Sequence, residues 1–423
     1  MRAEKRPAGR GAKRRIALRR RRVRYSGNGL RSVPLAKTLA DIEHFFLMSG
    51  VEAQFEMARR EGDGTTRSVL EYLSPADPAK DERYFGKGES GGQALASACM
   101  EFIERLAARI RSEDALVEAS YAEVEAEARD PRLFCLSSEG PFDPGRRIDW
   151  VWGYSLTRSQ PVLVPANLVF FPYKTGRDEK SIAWTDSNGL ASGNNIEEAI
   201  LHAVLEVVER DAVVIAEYNR LPPAAIRSDA RPSGFSLLLE DLEAKGFFCS
   251  FAAVPTDIPI PVVSAFLRKM NGPENCAVAF GCHLDPSLAV SRALTEAVQL
   301  LPPSANHEGW LRSGSPERYA APAATKMPLS DFVNLSSADL KENIERCVAI
   351  LNGIGSEVIV VDLSLPDIPF PVVRVLATGL QPLFHQGDMR LSRRFFEVPV
   401  KLGLRAEPRA PDDIKIWPLC GYR

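Results

Sequence analysis

One polar pattern is written twice into otherwise apolar segments of this 423-residue chain, and it limits what the chain can fold into. Residues 97–105 read SACMEFIER and residues 202–210 read HAVLEVVER. Ser97, Glu101, Glu104 and Arg105 stand at steps i, i+4, i+7 and i+8. His202, Glu206, Glu209 and Arg210 repeat those steps, with Glu198 one turn further back. At 3.6 residues per turn each set forms one stripe along a helix. The remaining faces are Leu95, Cys99, Met100, Phe102, Ile103 and Leu106 in one segment. In the other they are Ile200, Leu201, Val204, Leu205, Val207 and Val208. A helix apolar nearly all round is a buried helix, so each stripe is expected to face an internal cavity.

Carboxylates three residues apart repel, and uncompensated charge in a low-dielectric interior costs several kcal/mol per ion. If the stripes converge, Glu101, Glu104, Glu206 and Glu209 face only two guanidiniums, Arg105 and Arg210. The surplus negative charge calls for a divalent cation. Hard carboxylate oxygens suit Mg2+, and Mg2+ held this way commonly accompanies a polyphosphate. The competing reading is two buried Glu–Arg bridges that only fix helix packing. A di-iron bundle would need Glu-x-x-His, and here the residue three after each first Glu is another Glu. A third segment, SRALTEAVQ, sets Ser291, Glu296 and Gln299 on a helix lined by Ala293, Leu294, Ala297 and Val298. Gln299 is placed there to hydrogen-bond a base or orient a phosphate ligand.

Helical periodicity also marks 37–52 and the segments FSLLLEDLEAKG and ADLKENIERCVAILNGIG. The Gly-punctuated stretch 84–90 leads into the first stripe helix, and the loop SNGLASGNN into the second, with Asn194 or Asn195 as its cap. Strands are expected at 68–75, at 149–171 as a pair turning at TRSQ, and at FFCSFAAVP, PVVSAFLRK, CAVAFGCHL, EVIVVDLS and FPVVRVLATG. Helices and strands come in blocks rather than strict alternation, so the fold class is α+β with mixed or antiparallel sheets. Segments 304–330 and 404–423 read as irregular. No stretch is apolar enough to span a membrane as a helix.

Residues 1–24 hold twelve Lys and Arg against one acid, leaving 41 basic and 54 acidic residues over the rest, a net of −13. That block reads as a disordered, solvated tail able to touch nucleic acid, an acidic peptide or a membrane surface, with no secretory signal behind it. The domain would then run 25–403, followed by an irregular tail 404–423. Seven dispersed Cys with no C-x-x-C pair suit a reducing cytoplasm and small core positions, with Cys420, near the end, the exception in placement.

At these residues the chain resembles the YcaO family of ATP-dependent peptide-backbone-modifying enzymes, over roughly 25–400. The matching stretches are GKGES with ASACMEFIER, VPANLVFFPY, SNGLASGNNIEEAILHAVLEVVERDA, FGCHLDPSLAVSRALTEAVQ and IPFPVVRVLATGL. The resemblance implies a YcaO-type fold enclosing ATP and Mg2+, with Glu101, Glu104, Glu206 and Glu209 as metal ligands. It implies Arg105 and Arg210 beside glutamate or phosphate, Asn194 and Glu198 near the adenosine, and Ser97, Glu296 and Gln299 completing the nucleotide pocket. Arg31 and Lys87 are further phosphate contacts on this reading. In the family a nucleophile attacks a backbone amide, the resulting oxyanion is phosphorylated, and oxygen departs as phosphate.

The nucleophile sets the product: a neighbouring Cys, Ser or Thr gives an azoline, external sulfide a thioamide. The end, IWPLCGYR, lacks the Pro-x-Pro-x-Pro tail common among azoline enzymes. The opening YSGNGLRSVPLAKTLADIEHFF resembles the thioamide-forming branch that works with a TfuA-like partner. The resemblance thus implies a peptide or protein substrate, a TfuA-like or separate leader-binding partner, and a homodimer, with no role for membrane or nucleic acid. After Gln299 the family Arg is missing, with Leu301 and Pro303 in that region. Arg292 or an Arg within 304–319 is left to substitute, or the chain is a nucleotide-binding scaffold without turnover.

Overall fold

Three sheets each receive one long helix, and those helices carry the polar stripes. The computed structural model describes residues 10, 12–24, 30–51, 53–59, 66–72, 82–88, 90–112, 114–136, 141–173, 181–227, 236–270, 276–300, 326–383, 390–410 and 414. In chain order the elements are α1 (Leu35–Ser49), β1 (Ala53–Arg59), β2 (Thr66–Tyr72), β3 (Glu82–Gly88), α2 (Gly91–Ala108), β4 (Leu116–Ser120), α3 (Tyr121–Val124), β5 (Arg147–Ser155), β6 (Gln160–Pro165), β7 (Leu190–Ser192) and α4 (Ile196–Tyr218). There follow β8 (Ala224–Ile226), α5 (Ser236–Ala244), β9 (Phe247–Ala253), β10 (Val262–Lys269), β11 (Cys276–Cys282), α6 (Pro286–Leu300), β12 (Lys326–Met327), α7 (Leu340–Gly353), β13 (Val358–Asp362), β14 (Val372–Ala377) and α8 (Arg393–Lys401).

The sheets run β1-β2-β3, then β11-β10-β9-β8-β12, then β4-β5-β13-β14-β7 with β6 added beside β5. Only β12 with β8 is a parallel pair among the described ladders. The α+β expectation holds. Helix α2 packs on β3 and β2, α6 on β11 and β10, and α4 on β14, β7 and β11. Helix α4 therefore lies between two sheets, which is why nearly all its residues, Ile200, Val204, Val208 and Ile215 among them, are buried. Asn195 caps it by accepting from the Glu198 N–H. Two glycines let strand and helix backbones touch. A Cβ at Gly86 of β3 would stand 1.8 Å from Ala94 O, and one at Gly281 of β11 would stand 2.3 Å from Ala289 O.

Four sequence expectations change. The Gly-punctuated stretch before α2 is strand β3, paired with β2 from Thr66↔Gly88 to Tyr72↔Glu82. The second strand expected within 149–171 ends at Pro165 and gives way to a 3-10 turn, Ala166–Leu168. Helix α8 went unread. Its Arg394 bridges Asp211 of α4 at 2.8 Å and Asp257 at 2.6 Å. The basic segment is not a solvated tail at residues 10 and 12–24. Arg10 is buried against Asp114 at 2.7 Å, and Ile16, Leu18 and Val23 pack onto the main core. Apolar burial and a paired guanidinium outweigh the mutual repulsion of the charges there. Residues 1–9, the 304–325 stretch, Cys420 and most of the end lie outside the described residues. Among the described residues no helix is long and apolar enough to cross a membrane.

Candidate nucleotide and metal site

The two stripes meet across β7. Helices α2 and α4 both pack on β7 and β14, and Ser192, the last residue of β7, holds the first stripe in place. Its N–H and its hydroxyl both donate to Glu104 Oε1, at 2.8 Å each. Burial pushes the Glu104 carboxyl up to about 7. The Ser192 bonds oppose that shift, while the charges of Glu101 and Glu206 add to it. Glu206 is likewise raised, by burial first, with Arg210 opposing and Glu209 adding. The carboxylates of the two helices thus act on each other, as a converging pair of stripes requires.

Each member of the stripes has a distinct setting. Arg210 reaches Glu206 Oε1 and Glu209 Oε1, both at 3.4 Å. Glu209 is turned into the core and accepts from the Cys282 N–H at 2.9 Å. Glu101 accepts from the Phe85 N–H at 3.2 Å and lies 3.5 Å from Arg105. Arg105 covers the Phe171 ring at 4.8 Å. Ser97 and Gln299 are half-buried on α2 and α6, and their side chains make no hydrogen bond among the described residues.

Arg210 links these carboxylates to a second cluster, in which cations gather around Glu296. Lys87 of β3 pairs with Glu296 of α6 at 2.5 Å. Burial would raise the Glu296 pKa, but Lys87, Arg210 and Arg292 together hold it below the usual value. One turn before Glu296, Arg292 lies 3.3 Å from His202 Nε2, while its own Nε is buried without a partner. Burial, then Arg292, Arg31 and Lys87, drive the His202 pKa well below its ordinary value. His283 falls to about 3 through burial and Arg292. Both rings are therefore neutral at pH 7, and Arg292 has no carboxylate partner among the described residues.

The rim is built at the start of α4. Glu198 accepts from Ser32 N at 2.8 Å, Ser32 Oγ at 2.7 Å and Asn194 Nδ2 at 2.7 Å, with Arg31 at 3.8 Å. Burial works to raise the Glu198 pKa, but Arg31, Ser32 and Asn194 outweigh it and keep the group ionised. Thr38 Oγ1 donates to Asn194 Oδ1 at 2.7 Å.

The sequence reading missed Ser32, Ser192 and Arg374. Arg374 is buried on β14, donates to Leu168 O and Asp186 O, and faces Glu206 electrostatically. A lone guanidinium inside VVRVLA was the available signal, since a buried strand rarely carries one.

The donors fit Mg2+. Among the described residues no three His, Cys, Asp or Glu side chains form a ready cage. Glu104 and Glu206, however, offer oxygen ligands from two helices, and their repulsion is the kind a dication relieves. Mg2+ is usually held by one or two carboxylates, with phosphates and water supplying the rest.

Residues 85–381 match the family described as YcaO cyclodehydratase, ATP- and Mg2+-binding. The chain belongs to this family, whose members bind ATP and Mg2+. It is 32% identical to an uncharacterized protein of Methanothermobacter thermautotrophicus, over 74% of this chain and 84% of that one. It is 29% identical to an uncharacterized protein in the tfuA 3′ region of Rhizobium leguminosarum bv. trifolii, over 70% and 76%. Among solved structures, YcaO from Methanopyrus kandleri bound with AMPPCP and Mg2+ superposes with a TM-score of 0.71 at 28% identity, covering 85% of this chain and 95% of that chain. A heterocyclase in complex with substrate and cofactor shares the fold, with a TM-score of 0.85 at 24% identity. This chain spans 96% of its own length there and 59% of the heterocyclase.

Proposed function

We propose that the chain activates a backbone amide of a peptide by ATP-dependent O-phosphorylation and delivers a thioamide from a sulfide donor. The observation that supports this reading is that Glu104 and Glu206, from segments a hundred residues apart, act on each other, while Arg210, the partner of Glu206, also acts on Glu296 beside Lys87 and Arg292. Mg2+ would be held by Glu104 and Glu206, with Glu101 and Glu209 supporting. Bound Mg2+–ATP supplies the phosphoryl group that turns the amide oxygen into a leaving group. The chain's own work is positioning and charge. Ser192 fixes Glu104, Arg210 fixes Glu206, and Arg292 takes the place of the family arginine missing after Gln299 as a phosphate contact. Glu198, Asn194 and Ser32 form the polar rim for the nucleoside. Fixed donors and cations of this kind stabilise charge that develops on the transferring group.

The relative located beside tfuA supports a TfuA-like partner and the thioamide product. Azoline formation, with a separate leader-binding protein, is the second reading, favoured by the family description as a cyclodehydratase. Mass spectrometry of a candidate peptide incubated with chain, ATP, Mg2+ and sulfide separates them. Exchange of oxygen for sulfur adds mass, while loss of water removes it. Nucleotide binding without phosphate release in the presence of any peptide would reduce the chain to a scaffold and overturn both.

A further inference from the structure

The basic segment 10–24 is ordered by what it turns inward. Arg10 donates to Arg109 O at 2.8 Å and pairs with Asp114, and Ala115 N–H donates to Arg10 O at 2.9 Å. Ile16, Leu18 and Val23 are half-buried on the core. Further on, the Arg19 N–H donates to the buried Glu197 at 2.7 Å, and Arg21 lies 3.5 Å from the same carboxylate. Leu340 N–H donates to Arg21 O, and Val23 N–H donates to Ala338 O.

What it turns outward is a row of cations. From Arg15 onward exposed and half-buried residues alternate, with one break at Arg20, which is the period of an extended chain. Arg15, Arg19, Arg22 and Arg24 are exposed, and their side chains have no acidic partner among the described residues. Lys13 and Arg20 do have one, in Glu127 at 2.6 Å and Glu342 at 3.6 Å. The row passes Glu197 at Arg19 and Arg21 and ends at Arg24, whose N–H donates to the carbonyl of Arg31, the residue beside Glu198 on the rim of the nucleotide site.

We propose that this row is a docking rail for an extended acidic segment of the peptide substrate; the inference rests on the function proposed above. Alternate side chains of an extended strand are about 6.7 Å apart, so acids two apart on such a segment match Arg22 with Arg24, and acids four apart match Arg15 with Arg19 across Ala17. The rail is already ordered, so docking does not carry the entropic cost of fixing it. Glu127 and Glu342 take up Lys13 and Arg20, and the remaining exposed guanidiniums lie along one extended stretch of chain, which suits one peptide strand better than the broad polyanionic face of a folded nucleic acid. Lys13 is further held over the Trp152 ring at 4.3 Å.

The test uses the full chain and a triple variant, R15Q/R22Q/R24Q, which leaves the inward contacts intact. The probes are a fluorescein-labelled peptide of alternating Glu and Ser and a single-stranded RNA of equal length, both followed by anisotropy at low salt. The peptide is expected to bind the natural chain and to lose roughly tenfold in affinity on the variant, the order of three exposed ion pairs. Equal peptide binding by both proteins, no peptide binding by either, or tighter binding of the RNA by the natural chain would overturn the rail. AMPPCP and Mg2+ binding measured on the same two proteins keeps the readings apart. Failure of the natural chain to bind them strikes at the proposed function, while the anisotropy still decides the rail.

Discussion

The two copies of Glu-x-x-Glu-Arg have the same spacing and different surroundings. On α4, between two sheets, the side chains of Glu206, Glu209 and Arg210 are 18%, 4% and 11% exposed. On α2, at the edge, Glu101 and Arg105 are 35% and 22% exposed. The same residues therefore carry different energetic weight. The α4 copy is a buried charge cluster whose members depend on one another. The α2 copy has water to fall back on, and only Glu104, pinned by Ser192, shares the interior setting. A motif read from spacing says which side chains share a face; burial decides what each is worth.

The comparison can be broken most forcefully at the arginines. Arg210→Met should destabilise the chain by about 3–5 kcal/mol, because it leaves buried carboxylates without their cation. Urea denaturation of the metal-free protein reads this directly. Glu206→Gln should weaken Mg2+-dependent AMPPCP binding roughly a hundredfold while leaving the metal-free fold as stable or more so, since it removes a repelling charge. Calorimetric titration beside thermal unfolding gives both numbers.

Ser192→Ala should cost about tenfold in Mg2+ affinity, as expected for a group that orients a metal ligand. The pH profile sharpens the same point. Burial pushes the Glu104 carboxyl up to about 7 in the folded chain, from 4.5 for a solvated glutamate in the unfolded one. The folded state therefore binds the extra proton between these values, and stability of the metal-free chain falls as pH rises through that window. Mg2+ must displace that proton, so its affinity should drop about tenfold per pH unit below 7 and level off above it. In Glu104→Gln the residual binding should lose this slope. Smallest of all, Arg105→Met should cost under about 1 kcal/mol of stability. A loss equal to that of Arg210→Met would erase the distinction between the helices.

The helices that carry the site were legible because their apolar residues recur at helical spacing and the polar ones fall in one stripe. Two things hid the rest. Partnerships between distant segments leave no local pattern, so Ser192 with Glu104 and Lys87 with Glu296 had to wait for the structure, as did Arg374 facing Glu206. Charge also masked packing. Around Ile16, Leu18 and Val23 the arginines dominate the composition, yet the apolar residues among them face the core. In α8 a proline, Pro399, sits inside the helix and obscures its period.

The glycines of β3 and β11 set how far the site can drift over time. Where main chain rests on main chain, as Gly86 does on Ala94 and Gly281 on Ala289, a side chain on either glycine would force strand and helix apart. Each seam seats one half of the Lys87–Glu296 pair: β3, which carries Lys87, lies directly on α2, and α6, which carries Glu296, lies directly on β11.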